Sequence, residues 1–311
     1  MYNFSMSSFI FDNKKYFKLV LGLGNCSFDE IEQLCSIYAT AGADIFDLSP
    51  NIKSLKSAQL GVRKAGLNPY DFKYCISFGI KGDSHIKKAK INEKKCKRCY
   101  KCVSRCPQNA IVMGDNGYPK VITEKCIGCR RCEKNCIDFF DNEIGIKETA
   151  KDFKGEKLDM VELHISSLNK KEIYKKWEQI LENFDCQKSL CIDRSKYGTD
   201  KLIKLVKDLD SMNPDKTIIQ ADGVPMSGTE TLECTLQAIA HAQIYQDLDL
   251  PIFISGGTNA FTKEFAEKFK IRYDGITIGS YARAIVKDAI TCADTKLAIE
   301  IAKKLVKNVK D

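Results

Sequence analysis

The chain has 311 residues, a net charge of +8, 44% hydrophobic residues and fifteen cysteines. That length suits about two domains with a substantial core, and no apolar run approaches the ~18 residues a membrane span needs. The first fifteen residues carry only the patch Phe9-Ile10-Phe11 with lysines behind it, so no secretory signal is read and the expected compartment is the reducing cytoplasm.

Short β-branched and apolar runs bounded by Gly, Asp, Ser or Pro read as buried parallel strands. The first three cover 17–23, 43–48 and 72–78. Between the first two, Phe28–Ala41 is amphipathic and opens after Ser27 with Glu30 three residues on, a capping box. The ends of these strands offer Asn25, Cys26, Asp47 and Ser49 as polar groups.

The next segment changes character. Cys96, Cys99, Cys102 and Cys106 read C-x₂-C-x₂-C-x₃-C and are followed by Pro107; Cys126, Cys129, Cys132 and Cys136 repeat the spacing and are followed by Ile137. A [4Fe–4S] cubane needs four thiolates. Such a run supplies three to one cluster, while its fourth cysteine ligates the other. The expected ligand sets are therefore Cys96, Cys99, Cys102 and Cys136 for one cluster, and Cys126, Cys129, Cys132 and Cys106 for the second. Zinc takes its ligands as two pairs and would leave the third cysteine of each run without a role. A disulfide framework does not suit a lysine-rich chain without an export signal. Residues 91–96 are echoed by 121–126, thirty residues apart at the cysteines. Each half offers a short strand, a cluster loop and a brief helix, the first at 104–110.

Charge is concentrated here too. Between Lys81 and Cys106 ten basic residues stand against Asp83 and Glu93, an excess equal to that of the whole chain. Nucleic acid is the usual partner of such a patch, but the stretch holds one aromatic, Tyr100, and no nucleic-acid motif. A cluster with four thiolates is anionic, so cations favour its reduced state and steer an acidic redox protein toward it. The expectation is a solvated face that compensates the clusters, an acidic redox partner, and no nucleic acid.

After the cysteines, strand-like runs at 158–165, 189–192, 216–220, 251–254 and 275–278 alternate with amphipathic stretches at 170–184, 199–209, 229–246, 261–269 and 294–309. Eight strands separated mostly by helices suggest an α/β fold of the (β/α)₈ TIM-like barrel type, with an inserted α+β two-cluster ferredoxin domain. The residues outside 81–149 number about 240, close to the ~250 typical of such a barrel. The expected organisation is 1–80 for strands 1–3, 81–149 for the insert and 150–311 for strands 4–8, with helix 3 shortened or missing. An insert directly after strand 3 stands on the C-terminal face, where these barrels bind ligands.

On that face, Ser255-Gly256-Gly257-Thr258-Asn259 follows strand 7 and Gly279-Ser280-Tyr281-Ala282 follows strand 8. Phosphate in these barrels is often held by the loops after strands 7 and 8 and by a helix N-terminus. Gly256, Gly257, Gly279 and Ser280 are therefore candidate contacts for FMN or another phosphate-bearing ligand, and Asp222 in the stretch 221–228 is a further one. The same glycines can instead merely end strands, and Asp222 can fix its own turn. His164 can act as acid or ligand, although a lone buried histidine is more often simply hydrogen-bonded, and nothing is read for His85 or His241. Tyr281 and Arg283 can also reach a ligand. Cys26 apart, the remaining cysteines read as small buried hydrophobes. Walker loop, nucleophile elbow and thioredoxin pair are missing from the sequence.

Residues 88–145 resemble the bacterial two-cluster ferredoxin, except that no proline follows Cys136. Phe17-Lys18-Leu19, Ala41-Gly42-Ala43-Asp44, the stretch 220–228, Gly256-Gly257-Thr258-Asn259 and 279–283 together make the chain resemble the LdpA family, iron–sulfur proteins of the cyanobacterial light-dependent circadian input. The resemblance implies an iron–sulfur redox function in electron transfer or redox sensing. The alternative is an oxidoreductase whose barrel holds flavin or a small phosphorylated or quinone-like ligand fed by the clusters.

Overall fold

The structure, a computed structural model, describes residues 14–22, 26–81, 83, 86–126, 128–223 and 231–310. Asn25, His85 and residues 224–228 lie outside them.

Eight parallel strands close into a barrel: β1 (Tyr16–Val20), β2 (Ile45–Leu48), β3 (Lys73–Gly79), β8 (Met160–Ile165), β9 (Gln187–Asp193), β10 (Ile218–Asp222), β11 (Ile252–Ser255) and β12 (Gly275–Ile278). They adjoin in chain order, and β1 pairs β12 to close the ring. Each coincides with one of the eight apolar runs. Helices α1 (Phe28–Ala41), α2 (Ile52–Lys64), α4 (Ile146–Asp152), α5 (Lys170–Asn183), α6 (Thr199–Asp210), α7 (Leu232–Gln243), α8 (Thr262–Lys268), α9 (Ser280–Thr291) and α10 (Thr295–Lys310) pack outside. At the start of α1, Ser27 accepts from the Glu30 amide and Glu30 reaches back to the Ser27 amide, the capping box that its spacing predicts. Two helices went unread. Helix α2 is lysine-rich, with an inward stripe of only Leu55, Ala58 and Val62. Helix α9 begins at Ser280, inside a stretch read as a ligand loop.

Between β3 and β8 runs the insert: β4 (Lys87–Ile91), α3 (Lys101–Arg105), β5 (Ile111–Met113), β6 (Pro119–Val121) and β7 (Ile137–Asp141). Antiparallel pairs β4–β7 and β5–β6 form two small ribbons. The barrel pairing of β3 with β8 continues past the insertion, Gly79 opposite His164. The third barrel helix survives only as the short α4, as the sequence suggests. The brief helix expected at 104–110 lies instead at Lys101–Arg105. Pro107 disfavours helical backbone at Cys106, which adopts φ −78° and ψ 111° and stops the helix there.

Inside the barrel the period of two along each strand stacks side chains in layers. Tyr16, Ile45, Cys75, Met160, Ile218 and Phe253 form a bottom layer. Two residues further along, the layer turns polar. Lys18 Nζ lies 2.9 Å from Asp47 Oδ2 and 2.6 Å from Glu162 Oε2, and the Ser77 and Ser189 hydroxyls donate to Asp47 and Glu162. Above it, toward the C-terminal ends, stand His164, Cys191 and Asp222.

Candidate metal centre and barrel mouth

Each cysteine run follows a strand, and the ribbons decide which sulfurs meet. In β4–β7, Ile91 lies opposite Ile137 and the Asn92 amide donates to the Cys136 carbonyl at 2.9 Å. The last cysteine of the second run is thereby brought to the first loop. In β5–β6 the Ile122 amide donates to the Ala110 carbonyl at 2.7 Å, and the Ala110 amide donates to Cys106 Sγ at 3.2 Å. Cys106, Cys126, Cys129 and Cys132 line one small cavity, closed by Ala89, Ile111 and Phe139. Burial and then the neighbouring Cys126, Cys129 and Cys106 sulfurs raise the Cys132 thiol to about 11. Burial and then Cys96 raise Cys136, with Cys99 adding; Cys102 is raised by burial first, with Cys136 and Cys96 adding. Four sulfurs crowded at one point ionise together only around a cationic core, so both groups fit a metal cluster.

The loops are shaped by their repeat. Arg98 and Tyr100 in the first run, and Gly128 and Arg130 in the second, all have φ between +52° and +66°. This left-handed backbone two and four residues after Cys96 and Cys126 coils each loop around its sulfurs. It also points an amide at them, Arg98 N donating to Cys96 Sγ at 3.4 Å, while from strand β4 Ala89 N donates to Cys126 Sγ at 3.4 Å. Eight of the ten cations between Lys81 and Cys106 are exposed. Of the other two, Lys87 is half-buried and donates to Asp141 at 2.9 Å; the places of Lys88 and of the acid Asp83 were not foreseen. Lys88 is buried and donates to the Cys126 carbonyl, and Asp83 is buried against His164.

A cavity of about 730 Å³ separates the barrel mouth from the insert. Its barrel wall is Cys26, Ser27, Phe28, Ser49, Asn51, Lys53 and Phe78; its insert wall is Ile86, Lys88, Ile122, Thr123, Lys125 and Ile144. The N-termini of α1 and α2, capped by Ser27 and Asn51, both open on it. Among the described residues, three lysines and no carboxylate line it. Cys26 and Ser49, read as strand-end groups, are in this wall.

The candidates after β10, β11 and β12 are placed elsewhere. Asp222 turns inward, its Oδ2 3.3 Å from His164 Nε2, while His164 Nδ1 lies 2.8 Å from Asp83 Oδ2. Asp47 likewise points into the barrel, onto Lys18. Gly256 has φ +64°, and a Cβ there would stand 1.7 Å from Asp222 Oδ1; a Cβ on Gly257 would stand 2.7 Å from the Cys234 carbonyl oxygen. Gly279 caps α9 beside Val20, and the Ser280 hydroxyl meets Arg283, which also donates to the Val20 carbonyl at 2.6 Å. Tyr281 is buried in the core. His241 accepts no charge: burial lowers it to about 4, and its Nδ1 donates to the Asp222 carbonyl. The unread Lys18 and Glu162 did leave a signal, a charged residue in the middle of an apolar strand run.

Residues 88–137 match the 4Fe-4S dicluster domain, and residues 153–310 match the Light dependent period A C-terminal domain. A protein of Synechococcus elongatus called Light dependent period A is 27% identical over 272 residues, covering 82% of this chain and 74% of that one. Among solved structures, the tryptophan synthase alpha chain of Legionella pneumophila superposes with a TM-score of 0.51 at 10% identity, over 95% of this chain and 91% of its own. A tryptophan synthase structure from M. tuberculosis gives 0.50 at 10% identity, over 96% and 94%. At such identities the likeness shows a shared barrel fold alone. With an iron–sulfur module set into this barrel and the C-terminal domain matched over about half its length, the chain is an iron–sulfur redox protein that belongs to the Light dependent period A family.

Proposed function

We propose that the eight cysteines hold two [4Fe–4S] clusters by crossed ligation, Cys96, Cys99, Cys102 and Cys136 on one and Cys126, Cys129, Cys132 and Cys106 on the other. The observation that carries this is the pair of ribbons, each of which ties the end of one run to the other run. Such clusters exchange single electrons at low potential, and the chain uses them in electron transfer or redox sensing. The module, residues 81–149, is a graft on a barrel made of residues 1–80 and 150–311. The exposed cations around the first run are the docking face for an acidic redox-partner protein.

The mouth cavity favours a second reading, an oxidoreductase site fed by the clusters. Three lysines and two helix N-termini select an anion, while Phe28, Phe78, Ile86, Ile122 and Ile144 select an apolar body. A phosphate-bearing or quinone-like ligand, FMN among them, has this chemistry. It would lie against Lys88 and Lys125, beside the Cys126 loop.

The test is iron and labile sulfide in protein isolated without oxygen, where roughly eight irons per chain are expected for two cubanes. Cys102→Ala and Cys106→Ala should each damage a different cluster by electron paramagnetic resonance; damage to the same one in both refutes crossed ligation. Flavin absorbance in the supernatant of the denatured protein supports the second reading, and its absence leaves carrier or sensor.

A further inference from the structure

In the upper layer of the barrel, three different donors converge from three adjacent strands: His164 on β8, Cys191 on β9 and Asp222 on β10. Nε2 of His164 and Oδ2 of Asp222 are 3.3 Å apart, Sγ of Cys191 is 3.7 Å from the same oxygen, and all three atoms lie within 4.8 Å of one another. We propose that these three side chains bind one zinc ion, at a site separate from the cysteine runs.

The two distances to Asp222 Oδ2 are those of a tetrahedral site. With bonds of about 2.0–2.1 Å to nitrogen and oxygen and about 2.3 Å to sulfur, neighbouring ligand atoms sit about 3.3–3.7 Å apart. A mixed N, O, S set suits zinc better than the hard cations, which prefer oxygen alone. The surroundings also have the form that ligating histidines take. Asp83 lies 2.8 Å from Nδ1 and accepts its proton, so Nε2, which faces Asp222, is the nitrogen that a metal would take in exchange for its proton. The Asp222 main chain is held by the 2.8 Å bond from His241 Nδ1, and Gly256 leaves room for the carboxylate where any Cβ would strike it. Three protein ligands leave a fourth position for water or a substrate atom.

A comparable trio, Asp47, Cys75 and Glu162, occurs below. It already has its cation, because Lys18 lies between the two carboxylates. In the upper trio the basic group against Asp222 is His164, itself one of the three donors. Asp83 comes from the insert, so filling the site would tie the iron–sulfur module to the barrel.

The experiment is metal analysis of the whole chain isolated without oxygen, with iron and zinc counted separately, followed by X-ray absorption at the zinc edge. One zinc per chain with a single sulfur and otherwise nitrogen and oxygen neighbours is expected. Cys191→Ser and Asp222→Asn should each lower zinc occupancy at least tenfold at fixed free zinc, with iron unchanged. An iron-complete chain that takes up no zinc from micromolar solution overturns the proposal. So does a zinc shell of sulfur only, which would mean zinc in the cysteine runs, or occupancy unaltered in both variants. Should a variant fail to fold, the spectrum of the unaltered chain still decides.

Discussion

Lys18 is fully buried in the middle of the barrel, where burial works against its charge. Asp47, Cys75 and Glu162 outweigh that penalty and hold its pKa well above the ordinary value. Removing the cation alone would strand two carboxylates in the core. Lys18→Met should therefore destabilise the protein by about 3–5 kcal/mol, seen as a lower midpoint of thermal unfolding. Adding Asp47→Asn and Glu162→Gln should recover most of the loss, and no recovery would show that the network is not the cause. Cys26 invites a different expectation. It lines the mouth cavity, but burial, with Glu30 adding and Arg283 opposing, raises its thiol to about 11. At neutral pH it is a protonated wall residue, not a nucleophile. Iodoacetamide at pH 7.5 should label exposed Cys292 well before Cys26, and equal rates by peptide mass spectrometry would contradict this.

Among the elements, the capping box, the eight barrel strands and the cysteine loops were legible because each is a local pattern. A short apolar run between turn formers marks a buried strand, a Ser-x-x-Glu marks a helix start, and three sulfurs with two residues between successive ones mark a cluster loop. Helix α2 was illegible for a physical reason: its buried face is Ser54, Leu55, Ala58, Gln59, Gly61 and Val62, mostly small or polar, and it packs closely on α1. A Cβ on Gly61 would stand 2.0 Å from the Glu32 carbonyl oxygen of α1. Gly61→Ala should therefore push the two helices apart at a cost of about 1–3 kcal/mol or more, despite alanine's better helix propensity. A thermal midpoint at or above that of the unaltered protein would show that α1 and α2 are less closely packed than described.

For the whole molecule, the barrel and the insert differ in what holds them together. The barrel has one extensive core, whereas among the described residues the buried core of the insert is seven, three of them cysteines. A domain with so little apolar area depends on its metal to fold. Chelating the iron should abolish hydrogen-exchange protection across 87–141 while β1, β2 and β9–β12 stay protected. Retained protection in β4–β7 after complete iron loss would mean that the ribbons stand without clusters.

By itself the sequence determined the alternation of strand and helix, the place of the insert after the third strand and the two cysteine runs, because these are set by residues near each other along the chain. Only the tertiary structure decided that Asp222 faces His164 rather than the loop, and that Asp83, ahead of the cysteines, is buried against His164. It also decided that the large cavity opens over β1–β3 and the Cys126 loop, away from the glycines after β11 and β12. A period of two says whether a side chain points in or out. Closing the ring and folding the insert back over it decide what that side chain meets there.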